Sequence, residues 1–137
     1  MNQSVPERRD AGRAARARLP RAALADVHLT ADRPDPVALL ESQATSRIAE
    51  LVPIRYGRML TSALAFYRGA ALIMASDLAA GPHTGLTAQL CGDAHLCNFG
   101  LFGSPERNLV FDVNDFDETL PGPWEWDVKR LVASLAI

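Results

Sequence analysis

The residues Cys91-Gly92-Asp93-Ala94-His95-Leu96-Cys97-Asn98 constrain this chain more than any other stretch. They fall where the apolar period changes. Upstream, hydrophobic side chains recur every three to four residues. From Leu86 they run instead in short strand-like bursts, Leu86 to Leu90, Phe99 to Phe102 and Leu109 to Val113. The turn residues Gly103 to Asn108 join the last two into a hairpin. A Gly-Asp loop carrying Asn98, followed beyond the hairpin by Asp112, Asp115, Asp117 and Glu118, places hard oxygen donors at neighbouring strand ends. A Mg2+-dependent phosphoryl-transfer site requires donors of this kind.

Within that group each residue has a role and a plainer alternative. Gly92 permits a sharp turn that aims the Asp93 carboxylate into a cleft, where it would orient an attacking hydroxyl and accept its proton. Asn98 offers an amide oxygen to a cation and an NH2 to brace the loop; the alternative is a structural turn, in which Asp and Asn are common. Alternation after Leu109 sets Asp115 at a strand terminus, with Asp112, Asp117 and Glu118 as competitors. Carboxylates so close repel one another unless a cation or an arginine neutralises them, and a solvated acidic loop is the alternative there. His95 either buttresses the loop or touches phosphate. Asp127 either caps its helix or bonds back to the loop. One of Trp124 and Trp126 belongs in the core, and the other could stack on a sugar or base.

The rest of the chain reads as helix. Ser4 and Glu7 form a capping box that opens a helix over about residues 5–19. Thr30 to Pro36 reads as a linker. Asp35-Pro36 then starts a helix that Pro53 is expected to stop. Leu60, Leu64, Ala71, Met74 and Leu78 line one face of a helix over about residues 61–80, despite Gly69. A last helix opens at Trp126 and reaches Ile137 with Leu131, Val132, Leu135 and Ile137 uncovered, so the reading is of an N-terminal fragment whose domain continues beyond the chain end. Residues 1–35 form an Arg/Ala-rich helix and linker, and residues 36–137 the body.

Charge separates along the chain. Residues 1–58 hold ten Arg against seven acidic residues, a balance of +3; residues 59–137 hold four basic against nine acidic residues, a balance of -5. The acidic half suits a divalent cation and argues against a nucleic-acid groove there. The N-terminal arm, with Arg8, Arg9, Arg13, Arg16, Arg18 and Arg21, could touch phosphate backbones but reads as a solvated helix face, with no interleaved aromatics to stack on a single strand. No apolar run is long enough to span a membrane, and the chain reads as cytoplasmic. Cys91 and Cys97 have neither disulfide nor zinc-knuckle spacing and read as buried, inert thiols.

Three stretches, Phe66-Tyr67-Arg68-Gly69, CGDAHLCNFG at 91–100 and FDVNDFDETLPGPWEWDVKRL at 111–131, closely resemble the uncharacterised bacterial family DUF2252, over about residues 55–137. That family in turn is similar to protein-kinase-like and aminoglycoside-phosphotransferase-like folds. Their H-G-D-x-x-x-x-N loop is matched by Gly92, Asp93 and Asn98, with Cys91 in place of the histidine. Their D-F-G or D-F-E motif is matched by Asp115-Phe116-Asp117, and the aspartate opening their next helix by Asp127. The resemblance implies an α+β fold, a partial kinase-like domain of mostly helices with a short catalytic-loop hairpin. It also implies Mg2+ and ATP as cofactors, Asp93, Asn98 and Asp115 as catalytic residues, and Asn98, Asp115 and Asp117 as metal ligands. The chain departs from those folds upstream, where it has no lysine before Lys129 and no Gly-rich phosphate loop. Either Arg68, with His95, takes the place of the nucleotide-binding lysine, or the nucleotide lobe lies beyond residue 137 and the chain alone is inactive.

The expected function is therefore Mg-ATP-dependent phosphoryl transfer to a small molecule or sugar, with a nucleotide and an acceptor as partners. Two alternatives stay open. One is a metal-dependent hydrolase built on Asp112, Asp115 and Asp117; the other is a non-catalytic, kinase-like scaffold.

Overall fold

A computed structural model of the chain describes residues 3–137. The chain is a mixture of α and β structure, with six α-helices and two two-stranded antiparallel sheets among the described residues. The first helix, α1 (Val5–Arg18), starts at the capping box: Ser4 accepts from the Glu7 N–H, and the Glu7 carboxylate accepts from the Ser4 N–H at 2.7 Å. Three contacts tie the N-terminal segment to the body. Arg18 donates to the Thr84 carbonyl at 2.6 Å, Lys129 donates to the Asp26 carbonyl at 3.4 Å, and Arg33 grips Asp77 with two hydrogen bonds of 2.6 and 2.8 Å.

The helix expected to run to Pro53 stops earlier. Helix α2 (Pro36–Ala44) is capped by Asp35, whose carboxylate accepts from the Val37 N–H at 3.0 Å. It ends where hydroxyls take its carbonyls: Ser42, Thr45 and Ser46 donate to the carbonyls of Leu39, Ser42 and Gln43, a local competition that unwinds a helix end. Pro53 does not terminate a helix; it sits in the first turn of α3 (Val52–Met59), where its missing N–H costs nothing.

The helix expected over residues 61–80 is two helices, α4 (Ala63–Gly69) and α5 (Ala71–Ala79), broken at Ala70. The break has a partner. Arg55 donates to the Gly69 carbonyl at 2.6 Å, drawing off an acceptor that a continuous helix would use. Gly69 is also fixed by packing, since a Cβ there would lie 2.6 Å from the Met59 sulfur. Met59 joins Leu40, Ala70 and Ile73 in a small core flanked by Leu39 and Tyr56.

The strands arrive in the order expected, with one addition. β1 (Thr87–Leu90) leads into the loop, β2 (Phe99–Gly103) and β3 (Leu109–Val113) form the hairpin, and β4 (Leu120–Pro123) pairs with β1. Pro121-Gly122-Pro123 has the composition of a chain break, and it pairs all the same because both strands of this sheet are edges, where proline is tolerated, and because Gly122 leaves room for Leu90. The last helix, α6 (Glu125–Ala136), follows β4 directly. Leu131 is half-buried on it, while Val132, Leu135 and Ile137 are exposed. No described helix is long and apolar enough to cross a membrane.

Candidate functional site

Two strand pairings build the site. Pairing of β1 with β4 places the end of β1, and so the start of the 91–98 loop, beside the start of α6. Helix α6 then holds the loop along one face, at positions three and four residues apart. The Asp127 carboxylate accepts from the Cys91 and Gly92 N–H groups at 2.7 and 3.1 Å, Arg130 holds the Asp93 carboxylate, and the Ser134 hydroxyl accepts from the Leu96 N–H at 2.9 Å. Asp127 thus bonds back to the loop, one of the two roles open to it in the sequence. Gly92 is required at its position: its φ is +87°, and any Cβ would collide with the Glu118 backbone.

The hairpin supplies the second convergence. Phe99 pairs with Val113, so Asn98 stands opposite Asn114, whose N–H donates to the Asn98 carbonyl at 3.0 Å. Asp115 follows one residue on. The Asn98 amide nitrogen donates to the Asp93 carbonyl at 2.8 Å, and the same carbonyl accepts from the His95 N–H at 2.8 Å. One loop oxygen thus joins Asp93, His95 and Asn98, and the Asn98 amide oxygen is left as the free end of its side chain.

Asp93, His95, Asn98, Asp115 and Arg68 all line a single cavity of about 820 Å³. Five of the six residues singled out from the sequence are brought together there. Asp117 is the exception. It lies outside the lining, exposed, with its N–H donating to Asp115 Oδ1 at 3.3 Å in a local turn. Asp112 is exposed on β3 and caps the next N–H, that of Val113, at 2.8 Å. Among the described residues no three His, Cys, Asp or Glu side chains gather around a common point, so the hydrolytic arrangement of Asp112, Asp115 and Asp117 is not assembled. Neither tryptophan reaches the cavity; Trp124 donates to the Thr84 hydroxyl at 3.0 Å.

The partner of Asp93 was not anticipated. Arg130 is buried, with its Nε 2.6 Å from Asp93 Oδ1 and its Nη2 donating to the same oxygen and to the Tyr67 carbonyl at 2.9 Å. Its guanidinium lies over the Tyr67 ring, 4.4 Å from the centroid, a cation–π contact. The signal for it was spacing: Arg130 is three residues beyond Asp127 and four before Ser134, on the face that Asp127 turns to the loop. Asp93 Oδ2 has His95 Nε2 3.6 Å away. Burial holds the His95 imidazole below its ordinary value despite Asp93 nearby, so it is neutral at neutral pH. The Cys91 thiol is buried and pushed up to about 11, first by burial and then by Asp127, Asp93 and Asp115. Cys97 corrects the expectation of two buried thiols: it sits in a 3-10 turn, Leu96–Asn98, and is exposed.

Arginines line the same cavity. Arg47, Arg55 and Arg58 line it together with Arg68, and all four belong to the stretch of residues 47–68 that precedes the acidic loop in sequence.

The model of the family described as an uncharacterised protein conserved in bacteria, DUF2252, matches residues 47–137. The chain belongs to that family. Apart from Ser46, the whole cavity lining lies inside the DUF2252 match. No curated protein and no solved structure matches the chain.

Proposed function

We propose that this DUF2252 protein is a kinase-like, Mg-ATP-dependent phosphotransferase acting on a hydroxyl of a small molecule or sugar. One observation carries the reading: Asp93, Asn98 and Asp115, drawn from two different loops, face one cavity. The donor set suits Mg2+. Asp115 offers a carboxylate and Asn98 an unoccupied amide oxygen, both hard, and Mg2+ is ordinarily held by one or two carboxylates, with phosphate and water completing its shell. The thiols do not compete, since Cys91 points its sulfur at the Asp115 carbonyl, 3.6 Å away. When bound, the ion would neutralise charge on the transferring phosphoryl group.

The remaining chemistry is positional. Arg130 fixes Asp93 through one oxygen, leaving Oδ2 to accept a hydrogen bond from an acceptor hydroxyl and so to orient it. Asn98 keeps the loop closed through the Asp93 carbonyl. His95, neutral and buried against Asp93, keeps water from that carboxylate's inner side.

The test is Mg2+-dependent ATP binding by calorimetry, with transfer of labelled γ-phosphate to a panel of sugar and small-molecule hydroxyls. Asp93→Asn should retain ATP binding and lose turnover by about 100-fold or more. Asp115→Asn should weaken ATP binding only when Mg2+ is present. ATP binding that is absent with Mg2+, or transfer unaffected by Asp93→Asn, would sink the reading.

A further inference from the structure

We infer that Arg47, Arg55, Arg58 and Arg68 form a binding wall for an oligophosphate chain in the cavity they line with Asp93 and Asp115. The inference rests on the phosphotransferase reading only in taking these phosphates to be a donor's; the binding follows from charge and geometry alone.

The wall is assembled from three elements. Arg47 comes from the turn after α2, Arg55 and Arg58 from one face of α3, and Arg68 from the end of α4. Arginines three residues apart on a helix repel each other, and among the described residues none of the four lies within 4.0 Å of a carboxylate. The two lining carboxylates do not neutralise them. Asp93 is committed to Arg130, which leaves Asp115 as the one lining carboxylate without an ion pair. Four guanidinium groups against one free carboxylate leave a surplus that a monoanion would not balance and a multiply charged ligand would.

One buried atom points the same way. Arg55 turns Nη2 to the Gly69 carbonyl and to Gln43, while its Nη1 is buried with no partner. Arg55 lines the cavity, and a buried donor left unpaired costs about 1–3 kcal/mol. Burial and the neighbouring Arg47 charge also hold the Arg55 guanidinium below its ordinary value, with Glu118 opposing them from a distance. A wholly solvated arginine face would show neither the orphaned Arg55 nitrogen nor the cavity. Guanidinium forks match phosphate oxygens in pairs, and the charge surplus favours a phosphate chain over a single carboxylate.

The experiment is calorimetric titration of the chain with inorganic tripolyphosphate at low salt, without divalent metal. Saturable binding is expected, about tenfold or more weaker in Arg47→Ala and in Arg58→Ala. Both residues are exposed, so neither substitution removes a buried support as Arg55→Ala would. The triple variant Arg8→Ala, Arg9→Ala, Arg13→Ala, which removes exposed charge from α1, should bind as the parent does. Asp115→Asn should bind tripolyphosphate as well as or better than the parent while losing any Mg-ATP transfer. Absence of saturable binding, an equal loss in the α1 variant, or inorganic phosphate binding as tightly as tripolyphosphate would overturn the inference. Tripolyphosphate held by the wall with no ATP turnover on any acceptor would refute the phosphotransferase reading and leave the wall standing.

Discussion

Arg130 grips Asp93 from beneath the loop, its Nε 2.6 Å from Oδ1, while its own guanidinium is sandwiched against the Tyr67 ring. Tyr67 closes the arrangement by donating to the Arg130 carbonyl at 2.7 Å. The three residues come from α4, the loop and α6, so the carboxylate at the centre of the candidate site is also a junction of the fold. A side chain that holds its position through a buried partner is pre-organised, which is what orienting an acceptor hydroxyl requires.

That junction makes the pair unequal to its members. Arg130→Met leaves the Asp93 carboxylate without its partner in a largely enclosed site and should cost about 3 kcal/mol or more. Adding Asp93→Asn removes the stranded charge, so the double variant should be more stable than Arg130→Met alone. Denaturant unfolding of the parent, both single variants and the double variant measures the coupling. Additive losses would show that the two side chains do not support each other.

Asp127 restrains the other end of the loop. Its carboxylate is the acceptor for two consecutive N–H groups, those of Cys91 and Gly92. Asp127→Ala should cost about 1–3 kcal/mol, and Asp127→Asn less, because one amide oxygen remains. The sharper readout is hydrogen exchange: protection should fall at the Cys91 and Gly92 amides before it falls in α5. Unchanged exchange at those two amides in Asp127→Ala would contradict the clamp.

Glycine substitutions separate space from flexibility. Gly92→Ala meets both a positive φ and the Glu118 backbone, and should destabilise the chain by about 3 kcal/mol. Gly57→Ala is the control. Gly57 lies inside α3 with nothing within 4 Å of a Cβ position, so alanine there should stabilise by about 0.5–1 kcal/mol. Thermal melts of the two variants should move in opposite directions.

What the sequence made legible, and what it hid, divides along the range of the interactions. Asp93, Asn98 and Asp115 could be read because polar residues at strand ends announce themselves locally, and hairpin register does the rest. Arg130 left only its spacing from Asp127 and Ser134 as a signal, because an arginine between Lys129 and Leu131 looks like the solvent side of an amphipathic helix until its partner, 37 residues earlier, is known to lie beneath it. The helix breaks at Ala44 and Ala70 were hidden for a similar reason. The first depends on hydroxyls that favour no single structure, and the second on Arg55 reaching 14 residues ahead to Gly69. Charge was legible in amount but not in place. The charge balances of the two halves carry no sign of contact between them, yet Arg47, Arg55 and Arg58 of the first line one cavity with Asp93 and Asp115 of the second.

The two cysteines should differ in their reaction with reagent, and Cys91 should make stability depend on pH. Cys97 is exposed, so iodoacetamide at about pH 8 should modify it in the folded chain, whereas Cys91 should react only on unfolding. The sign of the pH effect follows from the Cys91 thiol, whose ordinary value of 9.0 is raised to about 11 in the folded chain. Between those values the folded state keeps a proton that the unfolded state has released. Stability from this group is therefore level below about pH 9 and falls as pH climbs toward 11. Burial raises the Tyr67 phenol as well, and it adds to the alkaline loss. The comparison that isolates Cys91 is therefore the parent against Cys91→Ala, by denaturant midpoints across that window. The parent should lose stability more steeply. Parallel profiles, or rapid modification of both thiols in the folded chain, would show that Cys91 is not enclosed between the loop and Asp115.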